Sequence, residues 1–333
     1  MNVLVVNAGS SSLKLRLLAP DDELLESHDL PADETSIAVA GRVDAVGHRI
    51  VHGGTRFREP VRIDDDLVRA LRDLTELAPL HQPKSLAALE ATTRAFPDVP
   101  AVACFDTAFH ATLPDAAATY ALPRELSERF DIRRYGFHGL SHAYASRRAA
   151  ELLERPLAEL RVVTCHLGAG ASLAAVRGGR SVDTTMGFTP LEGLAMATRS
   201  GSVDPGLLLW LVDHEGVDPV ALAHSLEHRS GMLGLAGTAD MREVVSRAAD
   251  GDAAARLAFD VYVHRLRAGI AAMVAAMNGV DALVFTGGVG EHSPEVRDAA
   301  LEGLSFLGAV EVLVLEARED LEIARQVRAV LST

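Results

Sequence analysis

The feature that most constrains the fold of this chain is a strand–turn–strand pattern that occurs twice. In the first copy, an apolar run at residues 3–6 and an alternating run at residues 13–17 flank the turn NAGSSS. In the second copy, apolar runs at residues 161–165 and 172–176 flank the turn HLGAGA. Unbroken apolar runs and regular alternation both predict strands, and helical patterns follow each copy. The sequence therefore predicts an α/β protein in which one strand-and-helix unit is used twice.

Both turns carry more hydrogen-bond donors than reversal of the chain requires. Serine hydroxyls and a lysine at the first turn suit an anion such as phosphate, and an ordinary Ser/Gly turn is the alternative. At the second turn, glycines let backbone amides approach a phosphate and a histidine can donate to it, with an ordinary hairpin as the alternative. The candidate phosphate-binding residues are Ser10, Ser12, Lys14, His166, Gly168 and Gly170.

A third glycine-rich segment, FTGGVGEHSPE, follows a predicted strand and precedes a predicted helix that begins at Ser293 and Pro294. Backbone amides at such a junction can bind an anion or a nucleotide, which makes Gly288 and Gly290 candidates. The segment lacks the full GxGxxG pattern, so it gives little support to a dinucleotide-binding fold.

Length, charge and cysteine content limit the class of protein. A chain of 333 residues predicts about two domains. Its net charge of -14 argues against nucleic acid or an anionic membrane surface as a partner. Cys104 and Cys165 lie in or at the end of apolar runs without a CxxC pair, which predicts core thiols in a reducing compartment. Because there is no signal-peptide pattern and no run of spanning length, we expect a soluble cytoplasmic protein.

Two arginines occupy positions that suit the binding of anions. Arg49 lies at the end of a predicted strand in GHRIVHGG, and Arg199 lies in a long segment without a clear period, residues 186–203. Such segments in compact domains are usually functional. The two guanidinium groups could hold a carboxylate and a phosphoryl group together; two surface ion pairs are the alternative.

Carboxylates and histidines give further candidates. Asp106, after its strand, and Glu319, at the start of the last predicted helix, could hold magnesium or be ordinary end charges. His138 and His142 in FHGLSH could form a helical metal pair. No Cys, Asp or Glu stands at zinc spacing, so phosphate donors suit these histidines better than zinc does.

The motifs taken together closely resemble the acetate kinase family, and the match runs through nearly the whole chain. They are NAGSSSLK, GHRIVHGG, ELAPLH, FDTAFH, YGFHGLSH, CHLGAG, TTMGFTPLEGLAMATRSGSVDP and FTGGVGE. The resemblance implies two ribonuclease-H-like domains of the acetate and sugar kinase/actin type, with an active-site cleft between them. It places the N-terminal domain at residues 1–110, completed by the C-terminal helix 320–333, and a nucleotide-binding domain at residues 111–319. It also implies a homodimer.

The resemblance further implies a reaction and its cofactors. The expected reaction is reversible phosphoryl transfer from ATP to a short carboxylate, acetate or propionate, giving an acyl phosphate such as acetyl phosphate and ADP. Mg²⁺ is the expected metal, with Mn²⁺ as a substitute. Because a carboxylate is already a nucleophile, charge neutralisation and in-line positioning suffice and no general base is needed.

Matching the family's motifs residue by residue gives an expected site. By that resemblance, Asn7 and Glu319 help to bind the metal. Arg49 and Arg199 grip the carboxylate and the transferring group, His138 steadies the phosphoryl oxygens and Asp106 is essential beside it. The phosphate side is implied to consist of Ser10, Ser12, Lys14 and His166, the nucleoside pocket of Asp240, Arg242 and Gly288, and the acyl pocket of Val51, Leu80, Phe137 and Pro190.

The chain departs from the family pattern on the nucleotide and metal side. It is shorter than family members usually are, and Ala169, His292 and Arg318 stand where the family usually has asparagine. A carboxylate kinase with a non-nucleotide donor such as pyrophosphate is therefore an alternative. A nucleotide-dependent switch of the same fold and a metal-dependent hydrolase that uses the histidines are further alternatives.

Overall fold

The computed structural model describes residues 1–9, 12–31, 34, 37–77 and 82–332 of the chain. The chain divides into two compact units. The first unit comprises Met1–Ala111, Phe137–Tyr144 and Arg318–Thr333. The second comprises Thr112–Gly136 and Ala145–Ala317. Residues 137–144, which include Phe137 and His138, thus belong to the first unit although they follow part of the second in sequence.

Strands and helices alternate along both units. The strands are β1 (Val3–Ala8), β2 (Ser12–Leu18), β3 (Leu24–Pro31), β4 (Ala45–Ile50), β5 (Val61–Arg62), β6 (Ala101–Phe105), β7 (Arg161–Leu167), β8 (Ala171–Arg177), β9 (Arg180–Thr184), β10 (Ala282–Thr286) and β11 (Glu311–Val314). The helices are α1 (Asp65–Asp73), α2 (Gln82–Ala95), α3 (Asp115–Ala118), α4 (Arg124–Arg129), α5 (Gly139–Leu152), α6 (Pro205–Asp213), α7 (Pro219–His228), α8 (Gly231–Ala236), α9 (Met241–Ala249), α10 (Ala253–Met277), α11 (Gly287–His292), α12 (Pro294–Glu302) and α13 (Glu319–Leu331).

The two sheets share one topology, which agrees with the predicted duplication, except that the first has an additional edge strand, β5, antiparallel to β6. The first sheet has the order β3-β2-β1-β4-β6-β5, with β1, β2 and β3 antiparallel and β4 and β6 parallel to β1. The second has the order β11-β10-β7-β8-β9, with β7, β8 and β9 antiparallel and β10 and β11 parallel to β7. Each unit is therefore an antiparallel meander extended by parallel strands.

One predicted boundary was wrong, and one glycine-rich segment contains a helix that the sequence did not predict. β7 continues to Leu167, so His166 lies in the strand opposite Ser172, and only residues 168–170 form the turn. Within FTGGVGEHSPE, Gly287–His292 forms the short helix α11, preceded by Thr286. The predicted start of the next helix is confirmed, because Ser293 is the N-cap residue of α12 and Pro294 is its first residue.

The last helix closes the core of the first unit. In α13, Ile323 and Val327 are buried in one cluster with Val3 and Val102 of the sheet. A Cβ on Gly47 of β4 would lie only 2.5 Å from Ile323 Cγ2 and 2.7 Å from Val327 Cγ2. Because Gly47 has no side chain, α13 can approach the sheet closely. This packing fixes the position of Glu319, the first residue of α13.

A single long helix supports the sheet of the second unit. Tyr262, Leu266, Ile270, Met273 and Met277 form one apolar stripe of α10, as their helical spacing indicates, and all five are buried. The helix ends at a left-handed Asn278, whose backbone amide bonds back to the last turn.

The two cysteines are confirmed as buried free thiols, Cys104 in β6 and Cys165 in β7. Among the described residues, no helix combines the length and the apolar character that crossing a bilayer requires.

The first unit contains buried histidines both in its sheet, as His48 in β4, and in segments that follow strands, as His52 and His110. His48 is only 2% exposed and faces a cavity of about 310 Å³ lined also by Leu89 and Phe96. Its Nε2 has no hydrogen-bond partner among the described residues. Burial lowers the pKa of His48 to about 4, and it lowers the pKa values of His52 and His110 to about 4 as well.

These histidines predict a loss of stability in mild acid. Their pKa is about 6.5 in an unfolded chain and lower in the folded protein, so the unfolded state binds more protons between pH 6.5 and pH 4. The free energy of unfolding should be highest above pH 6.5 and fall as the pH is lowered, by up to about 1.4 kcal/mol per pH unit for each histidine. Urea unfolding at pH 7, 6 and 5 measures this pH dependence of the free energy of unfolding. His48→Gln should reduce the slope by up to the equivalent of one proton, about 1.4 kcal/mol per pH unit. An unchanged slope would contradict the assignment to His48.

Candidate functional site

Four polar side chains meet at one edge of the first unit. Asn7 near the end of β1, Arg49 near the end of β4 and Asp106 just after β6 come from neighbouring parallel strands, whose carboxyl ends share one edge of the sheet. Glu319 reaches them from the start of α13. Arg49 Nη2 donates to Asp106 Oδ2 at 2.6 Å, and Arg49 Nε lies 3.1 Å from both Asp106 oxygens. Arg49 Nη1 donates to Asn7 Oδ1 at 3.0 Å, and Asn7 Nδ2 donates to Glu319 Oε2 at 3.0 Å.

The charges in this network are mutually dependent. Desolvation would lower the pKa of Arg49, but the negative charges of Asp106 and Glu319 outweigh it and raise that pKa. Desolvation raises the pKa of Asp106, which is 1% exposed, and the opposing effect of Arg49 does not cancel that shift. The two-sided contact with the guanidinium favours the ionised carboxylate over the neutral acid in this geometry. Arg49 is therefore a fixed cation in a nearly dry environment.

The segment that precedes α5 lies against Asp106. Gly139 N donates to the Asp106 carbonyl oxygen at 2.9 Å, and a Cβ on Gly139 would collide with that oxygen. His138 has a left-handed backbone, with φ of 56°, which is uncommon for a residue with a side chain and is concentrated at functional positions. The structure thus brings His138 and Asp106, both predicted catalytic residues, into one unit and one neighbourhood.

Two predicted acyl-pocket residues are buried in the same unit. Val51 is 5% exposed and Phe137 is 1% exposed. The Phe137 ring meets the ring of His52 edge to face at 5.6 Å, and the Phe137 carbonyl oxygen lies 3.0 Å from His110 Nε2. Leu80, the third of these residues in sequence order, lies outside the described residues.

The predicted phosphate residues of the first turn are only partly described. Ser12 and Lys14 belong to β2, and Lys14 is the cross-strand partner of Asn7. Ser10 lies outside the described residues. The structure therefore places one predicted phosphate-binding cation beside the Asn7–Arg49 network.

A cavity of about 400 Å³ lies in the second unit. Six of the residues that the sequence analysis singled out line it: Gly168, Ala169, Asp240, Arg242, Gly288 and His292. Met232 and Tyr262 also line it. Sequence reasoning missed these two, because Met232 lies in no recognised motif and the spacing of Tyr262 on α10 indicates only a core position.

The remaining predicted phosphate residues of this unit do not line the cavity. His166 lies in β7, and its Nε2 would lie 3.7 Å from a Cβ on Gly168. Gly170 ends the turn, where its carbonyl oxygen accepts from Gly168 N at 2.9 Å. Gly290 is buried in α11, against the backbone of Phe285 and Cys165. The glycine at 290 is thus explained by close packing of α11 on the sheet.

Local contacts set the shape of the cavity wall. Asp240 caps α9 and pairs with Arg242, whose Nη2 lies 2.6 Å from Asp240 Oδ2; this contact lowers the pKa of Asp240. Glu291 Oε1 accepts from Gly287 N and from Ala317 N, each at 2.9 Å, and so ties α11 to the segment before α13. A Cβ on Gly288 would meet nothing within 4 Å, so that position faces open space.

Arg199 has a different environment from Arg49. Its Nη1 donates to the Pro190 carbonyl oxygen at 3.1 Å and lies 3.7 Å from Met196 Sδ. Within the described part of the chain, no carboxylate forms an ion pair with it. Desolvation lowers the pKa of Arg199, and the charge of Glu227 opposes this, yet a guanidinium stays protonated in proteins. Arg199 is therefore a partly buried cation whose remaining N–H donors can bind an external anion.

Comparison with known proteins places the whole chain in one group. The model of the acetokinase family matches residues 31–320. The acetate kinase of Clavibacter michiganensis subsp. michiganensis is 46% identical, over 97% of this chain and 98% of that protein. That alignment extends over 386 positions, more than the 333 residues here, so the chain is a shortened form.

Solved structures agree with this placement. Porphyromonas gingivalis acetate kinase has a TM-score of 0.91 at 34% identity, with 99% of both chains covered. A propionate kinase from Francisella tularensis subsp. tularensis SCHU S4 has a TM-score of 0.90 at 34% identity, with 98% and 99% covered. The predicted fold class, two α/β units with mixed sheets, is confirmed.

Filling the cavity of the second unit should weaken nucleotide binding. Gly288→Leu puts a side chain into open space at the cavity wall, so the fold should tolerate it while the cavity shrinks. We expect the Kd for a fluorescent ATP analogue to rise at least about tenfold, because the leucine side chain would occupy volume that the nucleotide needs. Fluorescence titration measures it. Ala249→Leu, at an exposed position at the end of α9, is the matched control, and equal affinity of both variants would show that the nucleotide binds elsewhere.

Proposed function

This chain belongs to the acetokinase family, and from that premise we propose which of its residues carry the reaction. It is a phosphotransferase with a carboxyl group as acceptor, which phosphorylates acetate or propionate with ATP. The observation that carries the residue assignment is the environment of Arg199. A partly buried guanidinium that forms no ion pair with a described carboxylate, and is opposed only by the more distant charge of Glu227, is better compensated when an anionic substrate pairs with it.

In the proposed reaction, the arginines bind anionic oxygens and move no protons. A carboxylate oxygen of acetate forms a bond to the γ-phosphorus of ATP. The bond from that phosphorus to the β–γ bridging oxygen breaks, and ADP leaves with the electron pair. Arg49 and Arg199 offset the charge on the carboxylate and on the transferring phosphoryl oxygens, which is the main requirement of such a transition state.

Asp106 acts in this proposal through Arg49. Its two oxygens face Nε and Nη2 of the guanidinium, so the orientation of that group is fixed before substrate binds. Such preorganisation avoids reorganisation during the reaction. The left-handed backbone of His138, next to the Asp106 carbonyl, supports its proposed role as a donor to the phosphoryl oxygens.

The donor set beside Arg49 fits Mg²⁺. Asn7 Oδ1 accepts from Arg49 Nη1 and keeps a second lone pair for a metal, and Glu319 offers a carboxylate; Mg²⁺ is commonly held by one or two protein oxygens together with substrate phosphates. We assign the metal to Asn7 and Glu319; when bound, it would offset the charge of the ATP phosphates. Arg318, where an asparagine was expected, pairs with Asp320 at 2.9 Å, so its positive charge is partly offset beside the metal ligand.

ATP is the proposed donor in preference to pyrophosphate. A cavity of about 400 Å³ lined by Asp240, Arg242 and Gly288 provides room for a base and ribose, which a donor without a nucleoside would not need. His292 lines the same cavity and can stack on the base. Nothing in the sequence or the comparisons favours the switch or the hydrolase.

A homodimer in the cytoplasm completes the proposal. The two buried free cysteines suit a reducing compartment.

The proposed dimer surface lies on α6 and α7. None of the side chains of these two helices is buried, although both helices are rich in apolar residues. Leu209 is 65%, Trp210 47% and Val220 76% exposed. A second copy of this chain, seated on this surface, would remove these side chains from water.

Replacing either arginine should reduce turnover, with different effects on stability. We expect Arg49→Ala and Arg199→Ala each to lower kcat on the order of 10³-fold, because each removes charge stabilisation in a water-poor site. Arg49→Ala should also lower the unfolding temperature, since it leaves Asp106 buried without its cation, whereas Arg199→Ala should not. Trapping acetyl phosphate as its hydroxamate, together with thermal unfolding, measures both. Arg256→Ala, which breaks an exposed pair with Asp260, is the control, and near wild-type turnover of either variant would refute its assignment.

Disrupting the exposed apolar helix should separate the dimer. Trp210→Asp in α6 places a charge where the proposed interface excludes water, so light scattering after gel filtration should give the mass of a monomer. Phe306→Asp is the matched control, because Phe306 is 71% exposed but lies outside α6 and α7. A wild-type monomer, or a Trp210→Asp dimer, would refute this interface.

A further inference from the structure

We infer that Glu192 is a positioning residue for Arg199, acting through the loop that carries the Pro190 carbonyl. The inference rests on the proposed function, in which Arg199 binds the reacting anions. Arg199 and Glu192 lie on the same irregular segment of the second unit. They form no ion pair with each other in the described structure, so the effect of Glu192 must pass through the backbone between them.

Glu192 is anchored on both of its oxygens by residues far away in sequence. Oε1 accepts from Arg134 Nη2 at 2.7 Å, and Oε2 accepts from the Tyr120 hydroxyl. Arg134 also lies over the Tyr120 ring, with Cζ 5.4 Å from the ring centre. Desolvation and the hydrogen bond to Glu192 raise the pKa of Tyr120 to about 12, so its hydroxyl stays protonated and remains a donor.

The same two anchors also hold the start of the loop. Arg134 Nη1 donates to the carbonyl oxygens of Thr185 and Met186, at 3.2 and 3.1 Å. Phe188 N donates to the Tyr120 hydroxyl oxygen at 2.9 Å. The loop is therefore fixed at residues 185–188 and again at Glu192, and Pro190 lies between the two fixed points.

A glycine makes this arrangement possible. A Cβ on Gly187 would collide with both Glu192 Oε2 and the Tyr120 hydroxyl. The carbonyl oxygen of Gly187 accepts from Tyr135 N at 3.0 Å and from Gly136 N at 3.2 Å. The Glu192 carboxylate thus packs against the backbone of its own loop, and the loop cannot shift without breaking these contacts.

The Pro190 carbonyl links the anchored loop to Arg199. It accepts from Arg199 Nη1 at 3.1 Å, and among the described residues the other polar contact of this guanidinium is the weak one to Met196 Sδ, at 3.7 Å. No described carboxylate orients Arg199 as Asp106 orients Arg49. The direction in which Arg199 presents its free donors is therefore set by where the loop holds Pro190.

The test separates positioning from simple loss of stability. Glu192→Gln keeps the size of the side chain but removes the charge that Arg134 binds, and Tyr120→Phe removes only the second anchor. We expect Glu192→Gln to lower kcat/KM for acetate by about 10- to 100-fold, as small misplacements of a binding group do, and Tyr120→Phe to have a smaller effect. The Kd for a fluorescent ATP analogue should stay within about twofold, because neither residue lines the nucleotide cavity.

Two controls make the outcome decisive. Asp281→Asn breaks another partly buried pair of the second unit, with Arg161, and should leave the KM for acetate unchanged even if it lowers the unfolding temperature. A double-mutant cycle with Arg199→Ala should show that Glu192→Gln costs less than about twofold once Arg199 is absent. The expected activity loss of Arg199→Ala still leaves turnover measurable as hydroxamate.

The possible results distinguish the two proposals. Positioning by Glu192 is overturned, and the role of Arg199 stands, if Arg199→Ala loses activity as expected while Glu192→Gln matches wild type. The same conclusion follows if the loss in the double variant equals the product of the losses in the two single variants. If Arg199→Ala itself turns over normally, the assignment of Arg199 fails, and with it the premise of this inference.

Discussion

The two-sided ion pair between Arg49 and Asp106 is the contact around which the site of the first unit is arranged. Burying two charges costs several kcal/mol for each ion unless geometry and further hydrogen bonds compensate. Here both Asp106 oxygens face the guanidinium, and Asn7 accepts from its remaining nitrogen. The pair is possible because parallel strands end at one edge of the sheet, and because α13 comes close enough over Gly47 to bring Glu319 there.

The two arginines of the proposed reaction are held in different ways. Arg49 is neutralised and oriented by carboxylates of the protein, so it can keep its place before any substrate binds. Arg199 forms no ion pair with a described carboxylate, although the charge of Glu227 acts on it from a distance, and it is held through a backbone carbonyl. The arrangement of Arg49 favours stability and fixed geometry, whereas the arrangement of Arg199 leaves its guanidinium able to attract an incoming anion. A kinase that acts on a carboxylate needs both, because its acceptor is itself negatively charged.

Duplication explains why the units look alike and differ in chemistry. Each has a meander extended by parallel strands, so each presents strand ends and turns at a corresponding edge. In the first unit that edge carries charged side chains. In the second, small residues such as Gly168, Ala169 and Gly288 leave a cavity beside the turn. The same backbone topology therefore supports ion pairing in one unit and, in our proposal, nucleotide binding in the other.

The sequence by itself determined the elements, the duplication and the family. Periodicity within a segment predicts strands such as β7 and the buried face of α10, because side-chain spacing along a helix or strand fixes which residues share a face. Motif resemblance identified Arg49 and Arg199 as candidates. Local pattern did not show the helix α11 within FTGGVGE, where Gly287 has a positive φ and lies close to the backbone of Leu167, a residue distant in sequence.

Only the tertiary structure decided which partners these residues have. Asp106 is 57 residues from Arg49, and Tyr120 and Arg134 are 72 and 58 residues from Glu192. No spacing in the chain indicates these contacts, since they depend on how strands and loops pack in three dimensions. The sequence therefore supplied the charged groups, and the packing decided that one arginine would be neutralised by the protein while the other would keep donors free for an anion.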